Sequence, residues 1–279
     1  MNITEYFVDK DGFRGQLFEP ENRTNKVIII FMGGEGKIIS AGLLADKLAH
    51  NGFSALALYY CKGKGLSKQL SEISLEMVEK SISYLKTRKG YEKIGVYGIS
   101  LGSILAFMSG VFFNDISCVI GVSPTHIIPE GFINKRKCSG KSFLSYKGKP
   151  LPYIPLENDL SNYDRFQNAY ENSLGEGYIP IEKIEAKILL IAGSKDESWN
   201  AVYSVEQLKN QLYENKFPYQ YKTCIYDGSH YIGIIPNMKK HKSLHLIKLI
   251  SKTERENKRL CEEARQLSEQ EIVKWLCEW

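Results

Sequence analysis

From position 93 the sequence runs Lys93-Ile94-Gly95-Val96-Tyr97-Gly98-Ile99-Ser100-Leu101-Gly102-Ser103-Ile104-Leu105-Ala106-Phe107-Met108. A β-branched and aromatic run leads into G-x-S-x-G, and an apolar, helix-favouring run leaves it. A serine carried through so sharp a strand-to-helix turn brings together the backbone two residues to either side. Gly98 and Gly102 must therefore lack a Cβ. Such an elbow lifts the Ser100 hydroxyl above a sheet edge. It also leaves the Leu101 N–H at the positive end of the helix, where an oxyanion can be held.

Outward from this turn, strand and helix patterns alternate. Val27–Phe31 is an uninterrupted apolar run, suited to a strand buried on both faces. Ser40 is placed to cap a helix through Ala49, with Ala41, Leu44 and Leu48 on one face and Gly52 beyond its end. Ser54–Tyr59 reads as a strand, and about Glu72 to Arg88 as a helix carrying Leu75, Val78, Ile82 and Leu85. Ile116–Val122, Ala186–Gly193 and Tyr219–Tyr226 are strand-like, with a helix bearing Val205, Leu208 and Leu212 between the last two. Upstream, Phe7–Phe18 reads as a hairpin turning at Asp11-Gly12. The alternation implies βαβ units and a parallel sheet. A charged tail from about Thr253 (253–279) predicts a C-terminal helix closing one side of the sheet, with Leu260, Ala264, Leu267 and Trp275 as contacts. Periodicity fails from Pro124 to Pro180, where prolines and aromatics alternate. An irregular excursion of that length is a lid over the elbow or a structural insertion, and a lid is the favoured reading. With no repeat or linker, residues 1–279 read as one domain.

Composition narrows the function. The chain has 279 residues and a formal net charge of +5. Its basic clusters, Lys135-Arg136-Lys137 and Lys239-Lys240-His241-Lys242, read first as solvated surface and second as an attraction for anionic substrate. No nucleic-acid motif occurs, no apolar run is long enough to span a bilayer, and no secretory signal is evident, so neither partner class is expected. The six cysteines lack C-x-x-C or metal-type spacing and read as reduced thiols, which places the chain in the cytoplasm. Gly34-Glu35-Gly36 lacks the third glycine of a dinucleotide fingerprint. Gly140-Lys141-Ser142 lacks the glycine that a Walker A loop places five residues earlier. With no metal-ligand cluster either, the chemistry is expected to need no cofactor and no metal.

A serine hydroxyl needs a base, and the base needs a carboxylate to hold its tautomer. When serine comes first, acid and histidine follow it in that order, each on a loop after a sheet strand. Of the five histidines, His50 precedes the elbow and sits in a helix. His126 comes before any suitable acid, and His241 and His245 lie past the last strand. His230 alone follows a strand closely, in a glycine-containing turn. Asp196 follows the strand Ile188–Ala192 and is the expected acid, with neighbouring Glu197 able to substitute; Asp159, Asp164 and Asp227 fit less well. The Leu101 N–H and that of Gly34, with Glu35 as the nearest alternative, are the expected oxyanion donors. Together these predict an α/β-hydrolase fold: a mostly parallel central sheet, helices on both faces and a lid-like insertion.

With those residues laid out, the chain resembles the acyl-CoA thioester hydrolase and bile-acid-CoA:amino-acid N-acyltransferase C-terminal family. The likeness rests on Gly33-Gly34-Glu35-Gly36, on Gly52-Phe53-Ser54-Ala55-Leu56-Ala57-Leu58-Tyr59-Tyr60, and on Gly98-Ile99-Ser100. It extends to Tyr146-Lys147-Gly148-Lys149-Pro150-Leu151-Pro152, to Asp196 with Trp199, and to Gly228-Ser229-His230-Tyr231-Ile232. The resemblance implies a nucleophile, acid and histidine at Ser100, Asp196 and His230, and a small-molecule acyl thioester or ester as substrate. Longer members carry an N-terminal β-sandwich where this chain has a short hairpin. Amino-acid-conjugating members use cysteine where this chain has Ser100, which tilts the acceptor toward water. The expected activity is acyl-CoA thioester hydrolysis. Carboxylesterase or dienelactone-type hydrolysis and acyl transfer to an amine are the alternatives.

Overall fold

A computed structural model describes residues 1–34, 38–134, 137–172, 175–233, 247 and 249–279. Glu35 and Gly36, Lys135 and Arg136, the Lys239–Lys242 cluster, and His241 and His245 lie outside the described residues. The apolar run after Asn25 forms β3 (Lys26–Phe31), preceded by β1 (Asn2–Tyr6), the short helix α1 (Val8–Asp11) and β2 (Arg14–Glu19). Next come α2 (Ile38–His50), β4 (Ser54–Tyr59), β5 (Ile73–Ser74), α3 (Glu76–Thr87), β6 (Lys93–Ile99), α4 (Leu101–Phe112) and β7 (Ile116–Val122).

Among the described residues the main sheet is completed by β12 (Lys187–Gly193) and β13 (Tyr221–Tyr226), in the order β1-β2-β4-β3-β6-β7-β12-β13. From β4 to β13 every neighbour is parallel, and β1 and β2 run antiparallel at one edge. Helix α6 (Ala201–Glu214) joins β12 to β13.

The period of two along each strand sorts the core into two layers. Val27, Ile29, Phe31, Val96, Val119, Ile188 and Leu190 face α3, α4 and α6. Ile28, Ile30, Tyr97, Ile99, Ile120, Leu189 and Ile191 face α2 and the C-terminal helix α8 (Lys258–Cys277), which the short α7 (Lys252–Glu256) precedes. A strand buried on both sides has no polar face, which is why β3 reads as continuous hydrocarbon.

Several local expectations are corrected. The first hairpin pairs Asn2–Tyr6 with Arg14–Glu19, because Val8–Asp11 coils into a helical turn closed by left-handed Gly12. Ser40 lies inside the first turn of α2, not at its cap. Helix α3 starts at Glu76, since Ile73 and Ser74 are drawn into a second sheet. Strand β13 starts at Tyr221, two residues later than read. In the tail, Ala264 and Trp275 are buried but Leu260 and Leu267 are exposed. The buried stripe runs instead through Cys261, Ala264, Arg265, Ser268, Ile272 and Trp275, a helical spacing interrupted by polar residues that hid it.

The 124–180 excursion carries regular structure: β8 (Glu130–Phe132), β9 (Cys138–Ser142), β10 (Leu144–Tyr146), β11 (Lys149–Pro150) and α5 (Asn162–Asn172). Strands β8 and β9 pair with each other, and β10 pairs with β11 and β5. Strands of two to five residues are too short to show a period. Phe132, Phe143, Leu144, Ile154, Phe166, Tyr170 and Ile179 from this segment are buried in the same layer as α3, α4 and α6.

Candidate active site

Ser100 stands between β6 and α4 with φ 57° and ψ −128°, a left-handed conformation that a non-glycine residue adopts only under constraint. Its N–H donates to Val122 O on β7 at 2.9 Å, and its carbonyl accepts from the Ser103 hydroxyl at 2.7 Å. The glycines at this turn are demanded by close approach. A Cβ on Gly98 would lie 2.2 Å from Gly102 O, and one on Gly102 would lie 2.2 Å from Phe31 O of β3. Gly98 thus meets the other side of the elbow, as the motif predicts, whereas Gly102 is pressed against the neighbouring strand.

Parallel strands deliver the loops after β3, β4, β6, β12 and β13 to one edge of the sheet. Three of those loops bring Ser100, His230 and Asp196 together. His230 Nε2 is 2.9 Å from Ser100 Oγ, and His230 Nδ1 is 2.6 Å from Asp196 Oδ2. Both partners of the second contact are buried, at 8% and 2% side-chain exposure. With its proton on Nδ1, the imidazole donates to Asp196 and accepts from the serine hydroxyl. Asp196 Oδ1 accepts the N–H groups of Ser198 and Trp199 at 2.8 and 3.2 Å, which fixes the carboxylate plane. The Ser123 hydroxyl donates to the His230 carbonyl at 2.8 Å.

The other candidates lie elsewhere. Glu197 accepts from the Ser251 hydroxyl and the Thr253 N–H, so it ties the C-terminal segment to the acid loop. Asp227 is paired with Lys195, Asp164 with Ser161, and Asp159 is exposed.

Gly33 comes closest to the serine: a Cβ there would lie 3.2 Å from Ser100 Oγ, while one on Gly34 would face Leu101 Cδ1 at 3.2 Å. Two side chains after β4 hold this loop. The Tyr60 hydroxyl donates to Met32 O at 2.5 Å and Gly33 O at 2.6 Å, and Lys62 Nζ donates to Gly34 O at 3.0 Å. A planar trans peptide sets its N–H opposite its C=O, so the Gly33 and Gly34 N–H groups turn away from Tyr60. Leu101, in the first turn of α4, has no carbonyl one turn back to occupy its N–H.

Sequence reasoning passed over Tyr60, Ser123 and the packing role of Trp199. Trp199 is 2% exposed, its ring lies 4.7 Å from Phe166 and 4.8 Å from His230, and its indole N–H donates to Pro124 O at 3.0 Å. Its place three residues after Asp196 was the one signal available. The excursion thereby flanks the site twice, through Phe166 on Trp199 and through Phe132, which pairs with the Leu70 that faces Gly34.

His126 is a second buried histidine. Its Nδ1 is 3.1 Å from Ser204 Oγ on α6, and its ring lies 4.5 Å from that of Tyr170. Burial pushes its pKa from 6.5 down to about 4. The unfolded chain therefore takes up this proton first as pH falls, so stability drops from about pH 6.5 toward pH 4 and the cost approaches about 3 kcal/mol. His126→Gln is expected to flatten this part of the Tm-versus-pH curve. A slope as steep as the wild type's would show that other groups govern it.

The chain matches the BAAT / Acyl-CoA thioester hydrolase C terminal family over residues 73–246. It belongs to that family. Human acyl-coenzyme A thioesterase 1 is 25% identical over 233 residues, covering 78% of this chain and 52% of that protein. Mouse peroxisomal succinyl-coenzyme A thioesterase is 29% identical over 205 residues, covering 67% of this chain and 44% of that protein. The chain spans about half the length of the curated relatives it matches.

Among solved structures, the carboxylesterase Cest-2923 from Lactobacillus plantarum WCFS1 superposes with a TM-score of 0.60 at 11% identity, over 100% of this chain and 98% of that one. The alpha/beta hydrolase GrgF from Penicillium sp. sh18 gives a TM-score of 0.53 at 14% identity, over 88% of this chain and 95% of that one. The family member described here has the α/β-hydrolase fold. No helix among the described residues is long and apolar enough to cross a membrane.

Proposed function

We propose that this chain is a serine hydrolase that cleaves an acyl thioester, with an acyl-CoA as substrate, through an acyl-enzyme. The observation that carries this reading is the contact series from Ser100 Oγ through the His230 ring to Asp196, at 2.9 and 2.6 Å. Ser100 Oγ attacks the thioester carbonyl while His230 Nε2 takes its proton. The imidazolium that forms is stabilised by Asp196, which keeps its own charge. The N–H groups of Leu101 and Gly34 hold the oxyanion, and the turn of the Gly34 peptide away from Tyr60 supports that role.

Collapse of the tetrahedral intermediate breaks the C–S bond, and His230 returns the proton to the departing thiol. A water deprotonated by His230 then attacks the acyl-serine, and collapse of the second intermediate releases the acid and restores the Ser100 hydroxyl. Kinship with acyl-coenzyme A thioesterases supports a thioester as the bond broken. Phe166 packs on Trp199 beside His230, and Phe132 pairs with Leu70 beside Gly34; we read the 124–180 segment as the wall of the acyl subsite and residues 1–279 as one domain. All six cysteines are unpaired and four are buried, which suits a reducing compartment and supports the cytoplasm.

A substrate panel tests the proposal. Acyl-CoAs are expected to exceed simple carboxylic esters in kcat/KM by an order of magnitude or more. Equal or better turnover of the esters would reassign the chain as a carboxylesterase. Faster formation of amide than of acid in the presence of glycine or taurine would make it a transferase.

A further inference from the structure

We infer that the loop after β4 is an anion subsite that takes the phosphates of coenzyme A, through Lys62, Lys64 and Lys68. The inference rests on the thioester reading above and assigns the leaving group a place on the surface. Residues 61–69, Cys61-Lys62-Gly63-Lys64-Gly65-Leu66-Ser67-Lys68-Gln69, contain three lysines and no carboxylate. All three lysines are exposed, and none has a carboxylate partner among the described residues. Close by, Lys141 is neutralised by its pairing with Glu72. The loop is folded back on itself, with the Lys62 N–H on Ser67 O at 2.7 Å and the Leu66 N–H on Gly63 O at 3.1 Å. The N–H groups of Gly63, Lys64 and Gly65 find no acceptor among the described residues, so they are available to phosphate oxygens.

Position selects the ligand. Lys62 already reaches the carbonyl of Gly34 at 3.0 Å, next to the Gly33 that abuts Ser100. Lys64 and Lys68 belong to the same loop, whose far end turns back beside Lys62 through the Lys62–Ser67 bond. A CoA thioester carries, beyond its reactive carbonyl and neutral pantetheine arm, a pyrophosphate and a 3′-phosphate that such a cationic loop can take. The His230 side of the site, by contrast, is packed with buried rings, Trp199 against Phe166, which offer phosphate no charged donor. The bound phosphates would also tension a loop whose Tyr60 and Lys62 hold three successive carbonyls beside the serine, Met32, Gly33 and Gly34. Binding energy remote from the carbonyl would thus be felt where the oxyanion forms.

The test uses the full chain and the double variant Lys64→Glu/Lys68→Glu, which leaves Lys62 and the site untouched. Calorimetric titration with CoA is expected to show affinity about tenfold weaker in the variant, and wild-type affinity falling as salt is added. The KM for an acyl-CoA should rise by a similar factor, with kcat/KM for the matching acyl-pantetheine, which lacks the phosphates, unchanged. CoA affinity in the variant within twofold of wild type, or an equal loss on acyl-pantetheine, overturns the subsite. Absence of all thioester hydrolysis, with lysine-dependent CoA binding intact, would instead overturn the hydrolase reading and leave the subsite standing.

Discussion

Ser100→Ala is expected to lower turnover by roughly 10⁶-fold and to abolish labelling by a fluorophosphonate probe. The size of the effect follows from the geometry. His230 Nε2 has Ser100 Oγ as its partner at 2.9 Å, and Asp196 holds the opposite nitrogen at 2.6 Å, so removing the hydroxyl idles the whole series. On the proposed mechanism, what remains is whatever the Leu101 and Gly34 N–H groups contribute to direct attack by water, which is a small residue of the original rate. The substitution removes a single oxygen and leaves the backbone at φ 57°, held by Val122 and Ser103, so the protein should fold normally and still bind substrate. Retention of near-wild-type rates in a correctly folded Ser100→Ala protein would end the covalent mechanism.

How far the residues announced this arrangement depends on the range of the interaction. Period-two hydrocarbon runs and the glycines of the elbow are local, and they delimit β3, β4, β6 and β7 to within two residues. Chain order alone brought forward Asp196 and His230, because parallel strands must end at a common edge. The excursion resisted for a physical reason. Its strands are stabilised by pairing across the fold, Ile73 with Leu144 and Leu70 with Phe132, and not by any amphipathic period of their own. The supports of the loops resisted too. Tyr60 lies one residue past a strand and Ser123 at another strand's end, and nothing in their neighbourhoods marks the carbonyls they bind. The tail's contacts include polar residues, Arg265 and Ser268 among them, which an apolar spacing does not mark although they are among its anchors.

Those anchors carry the second large effect: Arg265→Ala is expected to cost about 3–5 kcal/mol of stability and to lower Tm by about 10 °C. Arg265 is 3% exposed and Glu254 1% exposed, and Arg265 Nη1 lies 2.7 and 3.0 Å from the two carboxylate oxygens. The same Glu254 accepts from the hydroxyl of Ser229, the residue before His230. One residue earlier, the Thr253 N–H donates to Glu197, the residue after Asp196. A single turn of α7 therefore grips both the loop that carries Asp196 and the loop that carries His230.

Truncating Arg265 leaves a carboxylate buried without its cation, and that group must either take up a proton or swing toward water. Movement of the carboxylate toward water releases Ser229 and loosens the His230 turn, so kcat should fall by more than KM changes. The compensating variant separates a stabilising pair from a positioning one. Replacing both charges, as Glu254→Leu/Arg265→Met, removes the desolvation cost along with the attraction, and most of the lost Tm should return. Activity should not return with it, because leucine cannot accept the Ser229 hydroxyl. Recovery of both Tm and kcat in the double variant would show that the pair only fills space, and that the histidine turn is held by Ser123 and Trp199 alone.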